Sequence, residues 1–424
     1  MSNISVSPSK LNGTVIIPPS KSAAHRAILC AALSRGVTKL SPVQLSEDID
    51  ATIRCIEALG AVATLENQTL TVDGRAMFTK QDALLNCKES GSTLRFLIPI
   101  TAFAGINATF TGEGRLPTRP IGVYLDTLPK HGVTLNTSGG LPLSINGHLA
   151  SGTFLLPGDV SSQFITGLLF ALPLLEGDSE IRLTTPLESV GYIDMTLKIL
   201  KDFGIEIQRT NYGYFISGNQ SYCQKDEYQI ESDWSQAAFF MVAGALGGNV
   251  TVQGLDINST QGDKEIIEIL KKFGANISIT DNGISVSADA INGTTIDARQ
   301  IPDLVPILAV IGSLSEGVTK IIGAARLRLK ESDRLNAIAN ALNALGGNVV
   351  ETEDGLIIQG TSKLHGGFVS GCNDHRIVMA MAIAATKCDG SVIISDRESI
   401  NKSYPTFFED YIMLGGKING LNLG

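Results

Sequence analysis

A chain of 424 residues is too long for one ordinary hydrophobic core and implies two or three domains. Hydrophobic residues make up 43% and charged residues 18%, which describes a packed globular chain and excludes a disordered one. The formal net charge of −9 argues against nonspecific nucleic-acid binding, which needs a basic surface, but leaves room for a small anion held by clustered cations.

The opening residues, MSNISVSPSKLNGTV, show neither a basic segment nor an apolar run of signal-peptide type, so a cytoplasmic protein is expected. Apolar stretches such as FITGLLFALPLL stop short of a membrane span. Cys30, Cys55, Cys87, Cys223, Cys372 and Cys388 are scattered without a C-x-x-C pair and read as free thiols. The five histidines lack ligand spacing, so no metal is expected.

The first helix is announced by PPSKSAAHRAILCAALSRG, residues 18–36. Its body is small and apolar, fit for an interior, yet its start carries Lys21, Ser22, His25 and Arg26. Ser20 is a suitable N-cap, but cations have the wrong sign for a helix N-terminus. Two readings stand at this point: a capped helix whose first turn reaches solvent, or an anion site formed by Lys21, Ser22 and Arg26.

Further along, the chain repeats itself. IEALGAVATLENQTLTVDG combines a helix end, a glycine and two strands around a turn, and its relatives recur about every 70 residues. The marker glycines are Gly60, Gly132, Gly204, Gly274, Gly346 and Gly415, each in a helix C′ position. A second, interleaved marker ends small-residue apolar helices at Gly36, Gly105, Gly177, Gly247, Gly317 and Gly390. Together they predict six α/β copies of strand, helix, strand, helix, strand, strand. The sixth copy runs out after GGKING, and ISVSPSK near the start can supply its missing strand. Six copies divide into two domains of three: residues 1–19 with 229–424, and residues 20–228, with the active site expected in the cleft between them.

Unusual chemistry gathers at helix starts. These are KESGSTLR (88–95), RPIGVYLDTL (119–128), DVSSQFITGLL (159–169), SVGYIDMTL (189–197), IPDLVPIL (301–308), RLRLKESDRL (326–335), NDHRIVMAM (373–381) and NKSYPTFF (401–408). Capping accounts for Ser161, Ser332 and Asn373, but not for Lys21, Arg119, Lys330, Arg334, Arg376 and Lys402. Their recurrence in both halves points to a cation-lined site for an anion. Gly91 reads either as a positive-φ turn or as a place where backbone N–H groups approach an anion. Asp303 reads as an N-cap or as a catalytic carboxylate, and Glu331 as a helix-start acid or a member of the same group.

The motifs PSKSAAHRAILCAALSRG, SGSTLR, RPIG, SSQF, IPD, LKESDRL, NDHR and NKSYP, in this order along the whole chain, resemble the 5-enolpyruvylshikimate-3-phosphate synthase family. The resemblance implies a two-domain inside-out α/β fold of six βαβαββ repeats, three per domain. It implies transfer of the enolpyruvyl group of phosphoenolpyruvate to the 5-hydroxyl of shikimate 3-phosphate in aromatic amino-acid synthesis. The step passes through a tetrahedral adduct and needs no metal or organic cofactor. It further implies that Lys21, Ser22, Arg26, Ser161, Ser162, Gln163, Ser189, Tyr192, Asp303 and Lys330 meet shikimate 3-phosphate. Lys21, Gly91, Arg119, Gln163, Arg334, Arg376 and Lys402 are implied on the phosphoenolpyruvate side, with Asp303, Glu331 and Lys21 catalytic. Glyphosate is implied as an inhibitor, and the protein is expected to be a monomer without nucleic-acid or membrane partners. Two positions depart from the family pattern: Glu89 and Arg326 stand where asparagines are common. A related UDP-N-acetylglucosamine enolpyruvyl transferase resembles the same fold, but that family usually carries a cysteine in the loop that reads GEGRLPTRPIG here. A non-enzymatic repeat scaffold explains the repeats but not the cations at helix starts.

Overall fold

In the computed structural model, which describes residues 2–419, the six marker glycines all take positive φ, between 82° and 114°, where helices end. A side chain is disfavoured in that conformation, so glycine sets the repeat boundary. Among the described residues the strands form six sheets of four. In each sheet a parallel pair is extended by antiparallel pairing.

The chain divides into two units, one continuous (residues 19–230) and one split (residues 1–18 with 231–424). The continuous unit holds α1 (Lys21–Leu33), α2 (Glu47–Ala58), α3 (Gly91–Ala104), α4 (Gly122–Thr127), α5 (Ser162–Ala171) and α6 (Val190–Asp202). The split unit holds α7 (Trp234–Ala245), α8 (Ile266–Phe273), α9 (Val305–Ser313), α10 (Arg334–Ala344), α11 (His375–Ala385) and α12 (Phe407–Met413). Each unit has its own hydrophobic core.

Helix composition explains the layering. Helix α7, WSQAAFFMVAGA, has no polar stripe, and every one of its residues is buried. Helix α8 has one, burying Ile266, Ile267, Ile269, Leu270 and Phe273 on a single side. Strands alternate instead: in Asp82–Asn86 only Ala83 and Leu85 are buried, while Leu84 faces outward. Apolar helices therefore lie inside each unit, α3 against α5 and α9 against α11, with sheets around them.

Strand Ile4–Ser7 pairs antiparallel with both Val392–Ile394 and Lys417–Asn419, and so takes the place of the last strand of the sixth copy. Its Ile4 and Val6 enter the split unit's core. A second arrangement has no counterpart in the sequence pattern. Strand Asn12–Ile16 precedes α1 but runs parallel to Asn249–Gln253 of the split unit. The vacant leading position beside Val37–Ser41 is filled by Glu227–Gln229. Each unit thus takes the leading strand of its first copy from the segment next to a crossing point, Pro18–Pro19 or Ile230–Glu231. No helix among the described residues is long and apolar enough to cross a membrane.

Candidate active site

In the continuous unit, Ser20 caps α1, its Oγ accepting the Ala23 N–H at 3.3 Å. The cation behind it does not rest on the helix end. Lys21 Nζ donates to Asp48 Oδ2 at 2.7 Å, both side chains being largely shielded from solvent. Asp48 is placed by α2, whose own cap is Ser46. Arg26 is buried and donates from Nε to Thr196 Oγ1 (2.8 Å), from Nη1 to the Ser22 carbonyl (2.7 Å) and from Nη2 to the Tyr192 carbonyl (3.2 Å). Its Cζ lies 5.2 Å over the Phe96 ring. Burial among these groups pulls the guanidinium down to about 10. Between the two cations, His25 hydrogen-bonds Thr52 Oγ1 through Nδ1 at 2.7 Å. Burial, and then the charges of Lys21 and Arg26, hold it neutral.

Three further segments approach one another. Ser161 caps α5 through the Gln163 N–H (3.3 Å), and Gln163 Nε2 donates to Ser92 Oγ at 2.9 Å. Ser162 follows the cap and is buried. Gly91 is the first residue of α3, capped by Ser90, and not a positive-φ turn. A Cβ there would lie 2.8 Å from Arg119 Nη2 and 2.8 Å from Arg95 Nη1, so the missing side chain is what admits two guanidinium groups. Arg119, Gly91 and Gln163 are thereby gathered, with Arg95 and Ser92, which sequence reasoning did not single out. Ser189 precedes α6 with a left-handed φ of 55° and does not cap it. Tyr192 enters the arrangement through its carbonyl, which accepts from Arg26 and from Thr196 Oγ1 (2.8 Å).

The split unit gathers charge of both signs. Asp303 lies in a single 3-10 turn before α9, and neither the turn nor the helix has a side-chain cap. Its Oδ1 accepts from Arg334 Nη1 at 3.0 Å and its Oδ2 from Arg376 Nη2 at 3.1 Å; Lys330 Nζ is 3.6 Å from Oδ1. Arg334 also donates from Nη2 to Glu331 Oε2 (2.7 Å) and from Nε to Asp374 Oδ2 (2.8 Å). Burial opposes ionisation of Asp303, but Arg376, Lys330 and Arg334 outweigh it and hold the carboxyl well below its usual range. Burial draws the Lys330 ammonium down to about 8 despite Asp303. Lys402 is buried and donates to the Asn373 carbonyl at 2.7 Å, just ahead of the start of α11, whose second residue is Arg376.

Two capping expectations fail by one residue. Helix α10 is capped by Asp333, which accepts from the Asn336 N–H, and Ser332 instead donates its hydroxyl to Asp374 at 2.9 Å. Helix α11 is capped by Asp374, not Asn373. Asn373 and Cys372 both have left-handed backbones, φ 50° and 53°, and present the carbonyl that Lys402 uses. Asp374 was missed although it lies inside NDHR. It is fully buried and serves Ser332, Arg334 and the cap together. Arg326 directs Nη2 at the Arg299 carbonyl.

Comparison with known proteins then bears on this chemistry. A family model described as EPSP synthase (3-phosphoshikimate 1-carboxyvinyltransferase) matches residues 6–411. A relative from Clostridium novyi (strain NT), named 3-phosphoshikimate 1-carboxyvinyltransferase, is 50% identical over 435 residues, covering 100% of both chains. One of the same name from Clostridium kluyveri is 49% identical over 426 residues, again covering 100% of each. Among solved structures, EPSP synthase from Acinetobacter baumannii aligns with a TM-score of 0.81 at 28% identity, over 99% of this chain and 100% of that one. The enolpyruvyl transferase NikO from Streptomyces tendae shares the fold, with a TM-score of 0.80 at 18% identity and 98% of each chain covered.

Proposed function

The chain belongs to the EPSP synthase family, and we infer that it transfers the enolpyruvyl group of phosphoenolpyruvate to the 5-hydroxyl of shikimate 3-phosphate, releasing phosphate. The reaction lies in the shikimate pathway of aromatic amino-acid synthesis. The observation that carries this is the 50% identity with a 3-phosphoshikimate 1-carboxyvinyltransferase along the full length of both chains.

Both substrates are multiply anionic, and the cations described above suit them. In our reading the continuous unit supplies Lys21, Ser22, Arg26, Ser161, Ser162, Gln163, Ser189 and Tyr192 to shikimate 3-phosphate. Gly91, Arg119 and Gln163 serve phosphoenolpyruvate, as does Lys21. From the split unit come Arg334, Arg376 and Lys402 for phosphoenolpyruvate, and Asp303 and Lys330 for shikimate 3-phosphate. The 5-hydroxyl must lose a proton while C3 of phosphoenolpyruvate gains one; C2 is then open to attack, and the tetrahedral adduct expels phosphate. Asp303 is ionised at neutral pH and takes the hydroxyl proton. In the free protein its basicity is suppressed by Arg376, Lys330 and Arg334. An anion arriving at the two arginines offsets part of their charge and raises that basicity when the substrate is present. Glu331, hydrogen-bonded to Arg334, must carry a proton to give to C3, and it takes one back from C3 as phosphate leaves and the double bond re-forms. Preorganised cations stabilise the adduct. The same reading gives a cytoplasmic monomer inhibited by glyphosate at the phosphoenolpyruvate site.

Phosphate release from phosphoenolpyruvate tests the assignment. Release is expected with shikimate 3-phosphate as acceptor and not with UDP-N-acetylglucosamine. The reverse pattern, or no release with either, rejects it.

A further inference from the structure

Arg95 has no part in the scheme above, yet its placement is specific. It stands in the second turn of α3, only 3% exposed, with its Cζ 5.0 Å over the Phe164 ring. Nη1 donates to Gln163 Oε1 at 2.7 Å and Nη2 donates to the Pro120 carbonyl at 2.9 Å. One guanidinium therefore ties α3 both to the start of α5 and to the residue that follows Arg119.

The consequence for Gln163 comes from donor and acceptor chemistry. An arginine can only donate, so the amide oxygen of Gln163 must face it. The amide nitrogen is then forced to the other side, where it donates to Ser92 Oγ at 2.9 Å. That leaves the second N–H of Gln163 and the hydroxyl proton of Ser92 as two donors beside Gly91. A glutamine without Arg95 can flip and offer its oxygen instead, which repels an anion. The bond to Pro120 acts in the same sense on Arg119, because the two guanidinium groups converge within 2.8 Å of where a Cβ on Gly91 would be.

We propose that Arg95 is a positioning residue for the phosphoenolpyruvate site, fixing the Gln163 amide so that its nitrogen, with the Ser92 hydroxyl, is offered to the anion. This rests on the reading of Gln163 as a substrate ligand. The test is a double-mutant cycle of Arg95→Met and Gln163→Ala, with steady-state kinetics for both substrates and thermal melts. Loss of a hydrogen bond to a charged group predicts that Arg95→Met raises KM for phosphoenolpyruvate by roughly tenfold or more. It should change kcat less, and in the Gln163→Ala background add under about threefold because the two act as one. A fully additive double variant, or a lowered melting temperature with unchanged KM, overturns the positioning role. Unchanged kinetics for Gln163→Ala alone overturns the ligand assignment as well, so the two failures are distinguishable. Should Arg95→Met not fold, Arg95→Lys replaces it in the cycle. It keeps the charge but cannot donate to the Gln163 amide oxygen and the Pro120 carbonyl together, and must show the same non-additivity with Gln163→Ala.

Discussion

Arg26 and Arg334 are both buried arginines near helix starts, 2% and 1% exposed, one in each unit, and their surroundings treat the same charge in opposite ways. Arg26 donates to a hydroxyl and two carbonyls, and burial lowers its guanidinium to about 10. Burial acts against Arg334 too, but Asp374, Glu331 and Asp303 outweigh it and hold the charge more firmly than usual. A cation solvated by neutral dipoles gains from an incoming anion. A cation already held by three carboxylates gains less from one, and it also fixes those carboxylates in place. In our proposal the continuous unit offers Arg26 as a cation that an anion completes, while the split unit both meets phosphoenolpyruvate through Arg334, Arg376 and Lys402 and holds Asp303 and Glu331 at set positions.

The largest effect that bears on this contrast is at Asp303. Asp303→Asn should cut turnover by roughly 10²–10⁴-fold, the range of a positioned general base, while binding of shikimate 3-phosphate changes far less. Kinetics beside calorimetric binding separate the two, and an equal loss in both would make Asp303 a binding group only.

Next in size is the pair of arginines themselves. Arg334→Met leaves the buried Asp374 without its ion-pair partner and should destabilise the fold by about 3–5 kcal/mol. Arg26→Met should leave the melting temperature nearly unchanged and weaken shikimate 3-phosphate by about 2–5 kcal/mol. Similar melting losses in both variants would erase the contrast.

Smaller again is Gly91→Ala. The residue is helical, so alanine brings no backbone strain, but its methyl must displace Arg95 or Arg119, and overpacking of this kind costs about 1–3 kcal/mol. Folding should survive while KM for phosphoenolpyruvate rises. Inhibition by glyphosate, the longer molecule, should weaken by a larger factor. Equal factors would place the collision away from the space glyphosate uses.

What the sequence made legible follows the range of the forces involved. The helix ends at Gly60, Gly132, Gly204, Gly274, Gly346 and Gly415 were readable because a left-handed residue is a local requirement. Capping was readable to within one residue. In Ser332–Asp333 and Asn373–Asp374 two competent caps are adjacent, and only the tertiary pull of Arg334 on Asp374 decides the roles. The cations stood out as misplaced charges, but their partners did not: Asp48 meets Lys21, and Asp374 meets Arg334, across different helices. Nor could the exchange of leading strands be seen, since Asn12–Ile16 and Glu227–Gln229 are short segments whose neighbours are chosen by the assembled sheet. Arg95 was hidden in plain view within SGSTLR, because nothing local tells a positioning arginine from a packed one.

The smallest predicted effect concerns Lys330, whose ammonium burial draws down to about 8. If its charge serves an anionic substrate, kcat/KM should fall on the alkaline side with an apparent pKa near that value, losing roughly tenfold between pH 7 and 9. Arg26, at about 10, titrates too high to produce this limb. Stability moves the other way. The folded pKa of Lys330 lies below its ordinary 10.5, so the native state binds fewer protons than the unfolded one across the window from about 8 to 10.5. The cost of keeping this ammonium charged in the fold is present below 8 and is relieved as pH rises through that window. Asp303, whose pKa is depressed, contributes stability above its ordinary 3.8 that is lost on acidification, so it does not mask the alkaline trend. Lys330→Arg keeps the charge throughout the range and should abolish the alkaline limb of kcat/KM, at a modest cost in rate from its different shape. A limb that persists unshifted in Lys330→Arg would belong to another group, and the split unit would then hold its lysine charged as firmly as it holds Arg334.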